Sequence, residues 1–522
     1  MKIQELGAGF KNRGQPLILL GRCRSWFSYR RPIKIIDRAT ALRSEIAYNA
    51  PIKPFLADKM PTNFHRLQHL LSRYRLHDWH AWQERAVIWG YALVVGLLIS
   101  FYVRLCDLAI LFYRQHGQTL GAGVLLLSPL ACVLIVYLVR TYFAGSEGSG
   151  IPQVIAAFSE QKNEDKTQVR GLVSLSIASG KILLGALAIA GGLSTGREGP
   201  CVQIAASVLR QARRFLPAES RITPSQLMLA GGAAGIAAAF NTPLAGIVFA
   251  IEELSRRFEE KTSGVMLTAI ILAGMVSTSL LGSGLYFGHM HIDQGSPDPR
   301  ALLLCALVCG ISGGLGARLF IAASHPHSRL QVLKRQHPYL NAGFCGLAIA
   351  VLALLSAGAI NGSGYDVTHA MLMHGQLLTP LFAVEKFFAT WLSFHSGVPG
   401  GIFAPTLAVG AGLGRDLQSF TGADANTLYA LCMAGFLAAM TQAPITASVI
   451  VMEMIDGHQM VISLLAVTLL ATLVARAFSP PLYPTLALRY RQAADAAAPV
   501  AKSPPAAAEG QVDSLADRHP PE

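Results

Sequence analysis

Charge is scarce in this chain. Asp, Glu, Lys and Arg make up 14% of its 522 residues, against about 25% in soluble domains. That deficit excludes an ordinary soluble domain. There is no H-E-x-x-H, no glycine-rich phosphate loop behind a strand and no nucleophile with an evident base, so an intramembrane enzyme has little support. The eight cysteines (Cys23, Cys106, Cys132, Cys201, Cys305, Cys309, Cys345, Cys432) show no C-x-x-C pair and no regular spacing. Most lie in apolar runs and read as small hydrophobes, which implies no disulfide framework. The pairs His65/His69 and His77/His80 have spacings that metal sites use, but no carboxylate or cysteine completes a set. They read as a solvated helix face, and neither a metal nor a cofactor is expected. A signal peptide is not expected either, because the first long apolar run comes too late.

Apolar sequence is abundant: 52% of residues are hydrophobic and the mean hydropathy is +0.43. Long apolar stretches occupy Ala86–Val103, Leu120–Val139, Gly171–Leu193, Leu227–Ile251, Val265–Leu285, Ala301–Ala323, Ala342–Ile360, Ala430–Met440 and Val461–Phe478. Several are too short or too interrupted to span alone, since a spanning helix needs about 20 apolar residues. The 49 glycines suit close-packed membrane helices. The expected class is an all-α polytopic membrane protein.

The formal net charge is +13, and residues 1–85 hold 16 Lys+Arg against 6 Asp+Glu. Positive charge ahead of the first span places the N-terminus in the cytoplasm. Its partner is anionic lipid rather than nucleic acid. Residues 1–59 read as a loosely ordered basic tail, and a chain starting at Met60 is expected to suffice. From Met60 the texture changes: Phe64, Leu67, Leu71 and Tyr74 fall at helical spacing among Arg66, Arg73 and Arg75. That pattern predicts an interfacial amphipathic helix over 60–85. Residues 488–522 form an Ala/Pro-rich tail expected to be disordered.

Between the tails the sequence repeats itself. Gly148-Ser149-Gly150 recurs as Gly362-Ser363-Gly364, 214 residues on. Gly196-Arg197-Glu198-Gly199-Pro200 recurs as Gly401-Ile402-Phe403-Ala404-Pro405, 205 on. Phe240-Asn241-Thr242-Pro243-Leu244 recurs as Thr441-Gln442-Ala443-Pro444-Ile445, 201 on, and Glu252 and Glu453 each follow their proline by nine residues. Two membrane halves are inferred, 86–285 and 300–487, joined by a loop at 286–299. Interrupted helices at matching positions of two halves point to a binding site near the membrane midplane.

Arg197 and Glu198 are ionisable groups deep in apolar sequence, where such groups face protein or a water-filled path. Flanking glycines and Pro200 suggest a helix start, with proline at its first position. A helix start presents free N–H groups and the positive end of its dipole, which favours an anion. Glu198 puts a second negative charge in that place. A carboxylate that competes with the anion, and leaves when protonated, is a gate.

These motifs, with Tyr483 near the end of the last apolar stretch, closely resemble the CLC family of chloride channels and chloride/proton antiporters, in its bacterial form without cytosolic regulatory domains. The resemblance covers about residues 64–490. It implies two inverted repeats of tilted, partly broken transmembrane helices. It also implies a homodimer in the cell (inner) membrane, with both termini cytoplasmic and one anion pathway per subunit. By the same resemblance Ser149 and Tyr483 offer hydroxyls, and the backbone near Ile402 and Phe403 offers N–H groups, to a central chloride. Glu198 is similar to the external gating glutamate and Glu253 to the internal glutamate that relays protons. Lys181 stands where the family has a lysine near the pathway, and Arg197 contributes to the pathway's electrostatics. Gln153 and Ile155 stand where some bacterial members are acidic. Donors without full charge are what a conducting chloride site needs.

Plainer roles stay open. Ser149 is also a good N-cap for a helix starting at Ile151. Tyr483 also suits an interfacial anchor. Arg197 suits a structural partner for a carboxylate or carbonyl. Lys181 suits a snorkelling lysine. Glu252 and Glu253 suit a polar helix end paired with Arg256 and Arg257. An acid at 253 favours chloride/proton exchange; the alternative is a passive chloride channel of the same fold, with or without voltage gating.

Overall fold

The computed structural model describes residues 79–159, 169–255, 263–282, 284–290, 298–376 and 379–497. The basic tail, the predicted helix as far as residue 78, Arg256, Arg257 and the last 25 residues lie outside them. Contacts separate Met1–Tyr74 from Arg75–Glu522, and every described helix belongs to the second unit.

The described residues form helices throughout, with no strand among them. The first half contains α1 (Trp79–Leu120), α2 (Val124–Thr141), α3 (Ile151–Ser159), α4 (Leu175–Ala190), α5 (Glu198–Gln211), α6 (Pro224–Phe240), α7 (Pro243–Phe249) and α8 (Ser263–Leu281). The second contains α9 (Pro299–Ala323), α10 (Arg329–Gln336), α11 (Pro338–Leu355), α12 (Tyr365–His374), α13 (Phe382–Ser396), α14 (Phe403–Thr421), α15 (Ala425–Thr441), α16 (Pro444–Ile455), α17 (Val461–Arg476) and α18 (Leu482–Ala497). Among the described residues, six helical segments are long and apolar enough to cross a membrane: Trp79–Gly117, Gly121–Thr141, Gly264–Leu281, Pro299–Ala323, Pro338–Leu355 and His458–Arg476. Residues 79–85 run into the first of these without a break. Residues 488–497, assigned to the tail by composition, are the C-terminal part of α18. Their alanines are strong helix formers, so the helix that carries Tyr483 continues through them.

The centre is made of helices apolar on every side. Every residue of α6 from Leu227 to Phe240 is buried, and so is every residue of α15 from Thr427 to Thr441. A helix with no polar face belongs inside a protein or a membrane. The apolar stretch Leu227–Ile251 is therefore not one span. α6 ends at Asn241, in the left-handed conformation with φ +57°, and Pro243 starts α7. The second half repeats this: α15 ends at Gln442, φ +59°, and Pro444 starts α16.

Each restart is capped by the other half. Leu244 N and Ala245 N donate to the Glu453 carboxylate at 3.2 and 2.6 Å. Ile445 N and Thr446 N donate to the Glu252 carboxylate at 3.2 and 2.6 Å. The glutamates nine residues after the two prolines thus form a reciprocal clasp. Each satisfies N–H groups that the start of a helix leaves without partners.

A second reciprocal contact lies at the motifs. Gly196 N donates to Gly401 O and Gly401 N to Gly196 O, both at 2.7 Å. Gly400 N donates to Gly148 O at 3.0 Å, and Thr195 N to Gly362 O at 3.1 Å. Equivalent residues pairing with each other in antiparallel fashion are what a two-fold relation between the halves produces. The crossing therefore holds all the glycine motifs together, with Gly148-Ser149-Gly150 on one flank and Gly362-Ser363-Gly364 on the other.

Candidate functional site

At the crossing, α5 and α14 begin. Neither has a side-chain N-cap, and both first turns are buried. This contrasts with α4, α6, α9, α10 and α15, whose N-termini are capped by Ser174, Thr223, Asp298, Ser328 and Asp424. Pro200 is the third residue of α5 rather than the first, and Pro405 is the third of α14. Proline fits there because an N–H in the first turn has no helical acceptor to lose. Ile402 is the N-cap residue of α14 and Phe403 its first helical residue; each is 2% exposed. Two buried helix starts with open N–H groups make an electropositive pocket without a full charge.

Glu198, the first residue of α5, occupies that pocket. It is 0% exposed. Its Oε2 lies so close to Gly196 that a Cβ there would collide with it. Backbone groups of Arg197, Glu198 itself and Ala404 face its oxygens, yet none makes a well-formed hydrogen bond. Arg197 does not pair with it. Its guanidinium binds the Asp107 carboxylate at 2.5 Å and the Val103 carbonyl at 3.4 Å, and lies over the Tyr286 ring. The structural role open to Arg197 is the one it fills.

Ser149 and Tyr483 meet beside the start of α5. Both are buried, their hydroxyls face one another, and neither hydroxyl makes a well-formed hydrogen bond. Ser149 is not the cap of α3; the Gln153 side chain accepts from Gly150 N at 2.9 Å instead. Gln153 also donates to Glu147 O and to the Tyr490 hydroxyl, so it organises the loop. Tyr483 is 0% exposed, which removes the interfacial-anchor role. Ser149 Oγ packs on Gly199, where an added Cβ would come within 2.5 Å of it. Lys181 does not snorkel: it is 0% exposed and donates to Gly148 O. Glu253 is 1% exposed on a π-helical turn, Ala250–Ser255, within electrostatic reach of Tyr483.

A cavity opens on each flank. One, of about 390 Å³, is lined by Arg197, Asp107, Tyr286 and Gly362–Ser363–Gly364. The other, of about 790 Å³, reaches Gly148 and is lined by Arg140, Lys334, Arg335, Arg489 and Glu147. Four cations against one carboxylate make this second mouth attractive to anions.

The family model for voltage gated chloride channels matches residues 131–476. The chain belongs to this CLC family. It is 30% identical over 421 residues to the H(+)/Cl(-) exchange transporter ClcA of Citrobacter koseri, covering 78% of this chain and 84% of that one. The Salmonella typhimurium protein of the same name gives 30% over 424 residues, with the same coverage. Among solved structures, a slow cyanobacterial Cl-/H+ antiporter superposes with TM-score 0.68 at 22% identity, over 78% of this chain and 98% of that one. A CLC-type fluoride/proton antiporter gives 0.66 at 23%, over 77% and 96%. At those identities the structures speak for the CLC fold. Ser149, Lys181, Arg197, Glu198, Glu253, Ile402 and Phe403 lie inside the matched segment, and Tyr483 lies seven residues beyond it.

Sequence reading missed Asp107 and the capping role of Gln153. Asp107 stands 90 residues before Arg197, inside α1, and no spacing rule joins them. Gln153 had a signal, since it is the third residue of the helix it caps.

Proposed function

We propose that this protein exchanges chloride for protons across a membrane, with Ser149, Tyr483 and the first turn of α14 holding the anion and Glu198 acting as the shared gate. One observation carries the reading. The hydroxyls of Ser149 and Tyr483 and both oxygens of Glu198 are buried, without well-formed hydrogen bonds, around two uncapped helix starts. Buried polar atoms without partners are costly and mark a ligand or a moving part. The donors these residues offer are hydroxyl and amide groups rather than cations. Such a site binds chloride yet lets it leave.

Proton coupling follows from the position of Glu198. Its carboxylate fills the place an anion needs, and two negative charges do not share it. Chloride therefore passes when Glu198 is neutral and has swung away, and each such event moves a proton. Glu253, buried on the Tyr483 side, is the partner that exchanges protons with the opposite face. The exchange named for the ClcA relatives supports this assignment. The protein acts as a homodimer in the inner membrane with cytoplasmic termini, as the positive N-terminal charge favours, and it performs no chemistry on its substrates.

The test is a chloride gradient imposed across sealed vesicles that contain the purified protein. Protons should move opposite to chloride with no proton gradient applied. Chloride flux with no proton movement makes the protein a passive channel of the same fold.

A further inference from the structure

The second half holds a buried lysine that the motifs do not include. Lys386, on α13, is 0% exposed. Its Nζ donates to Ile360 O at 2.7 Å and to Gly362 O at 2.8 Å. Lys181 on α4 donates in the same way to Gly148 O. The two are mates: Lys181 precedes Gly196 by fifteen residues and Lys386 precedes Gly401 by fifteen. Each lysine ties down the Gly-Ser-Gly loop of its own half. The same carbonyls also accept the backbone bonds of the crossing, Gly148 O from Gly400 and Gly362 O from Thr195.

The surroundings of the two lysines differ. Lys181 lies within electrostatic reach of Glu147, at the 790 Å³ cavity. Lys386 lies within electrostatic reach of Glu198. Among the described residues no carboxylate lies within ion-pair distance of Lys386. A lysine that served only solubility would send its ammonium to the membrane surface. This one points inward, and its loop wraps it closely: a Cβ on Gly364, φ +86°, would stand 3.0 Å from Lys386 Cε. That loop is also a wall of the cavity shared with Arg197. In a dry interior, the charge of a protonated lysine satisfied only by carbonyls acts over a long range.

We propose that Lys386 is a positioning residue of the gate: it fixes the Gly362–Ser363–Gly364 wall and, by its charge, holds the Glu198 carboxylate in its seat. This inference rests on Glu198 being the gate. Without the charge the carboxylate is held less firmly, so chloride slips past without a proton.

The experiment uses the full chain in sealed vesicles and measures proton and chloride flux together. Lys386→Gln keeps a donor for the loop and removes the charge; Lys386→Arg keeps both. Lys386→Gln should lower protons moved per chloride about threefold or more, the scale of coupling between neighbouring groups, and chloride flux should be kept or raised. Lys386→Arg should restore the ratio. The same substitution is then made on Glu198→Gln, where no carboxylate remains to be held, and there it should no longer raise chloride flux. Loss of chloride flux by the same factor in both backgrounds, with the ratio in the otherwise unaltered chain unchanged, overturns the proposal and leaves Lys386 a loop anchor. If Glu198→Gln itself keeps its proton coupling, the gate reading has failed rather than this one. If Lys386→Gln yields too little folded protein, Lys386→Arg still decides: a ratio that falls despite the retained charge rules out the charge as the cause.

Discussion

Replacing Glu252 with alanine opens the first turn of α16. Two N–H groups lose their acceptor, those of Ile445 and Thr446, at 3.2 and 2.6 Å. Hydrogen bonds to a charged group are worth about 1.5–3 kcal/mol each. Glu252 is half-buried, so water fills part of the gap and the full sum does not apply. The cost of a lost N-cap, about 0.5–2 kcal/mol, is the better guide, and two bonds of unequal length place the loss near the upper end, about 2 kcal/mol. For a long chain this lowers the melting temperature by roughly a few degrees. Glu453→Ala should cost the same, because it removes the matching pair of bonds from Leu244 and Ala245. The assay is heating of the purified protein in detergent, followed by the fraction that still elutes as folded material. Both variants should keep proton-coupled chloride flux well below their melting points. Unchanged melting in both refutes the clasp, and loss of proton flux alone in Glu252→Ala moves Glu252 into the proton path.

Other outcomes follow from the site. The double variant Ser149→Ala, Tyr483→Ala removes two hydroxyl donors; at about 1.5–3 kcal/mol each chloride affinity should fall at least tenfold by calorimetry, and unchanged binding assigns both residues to packing. Glu253→Gln should leave chloride flux nearly intact while proton flux stops. Proton pumping at the wild-type rate in that variant makes Glu253 a buried polar residue of the π-helical turn and nothing more.

Much of the fold was legible because membrane depth imposes length and composition on a helix. The long apolar runs became α1, α2, α8, α9, α11 and α17. The repeated motifs were legible because they sit at helix breaks, where glycine and proline are needed. What pattern could not reach is contact between distant segments. The clasp needs Glu252 and Ile445, 193 residues apart, at one place. Asp107 finds Arg197 only because α1 packs beside the start of α5. Lys386 did have a local signal, its fifteen-residue lead on Gly401, but a lone lysine in an apolar helix reads equally well as snorkelling until its carbonyl partners are seen. The proline assignment erred by two positions because any first-turn position tolerates the missing N–H equally, so composition alone cannot number the turn.

The central claim is that one carboxylate gates both ions. Glu198→Gln keeps the size and burial of that side chain and removes its charge and its proton site. Chloride and proton fluxes are measured together in sealed vesicles under an imposed chloride gradient. Chloride should still pass, at a rate comparable to wild type or above it, with no accompanying proton movement. Proton flux that persists in step with chloride in Glu198→Gln contradicts the account.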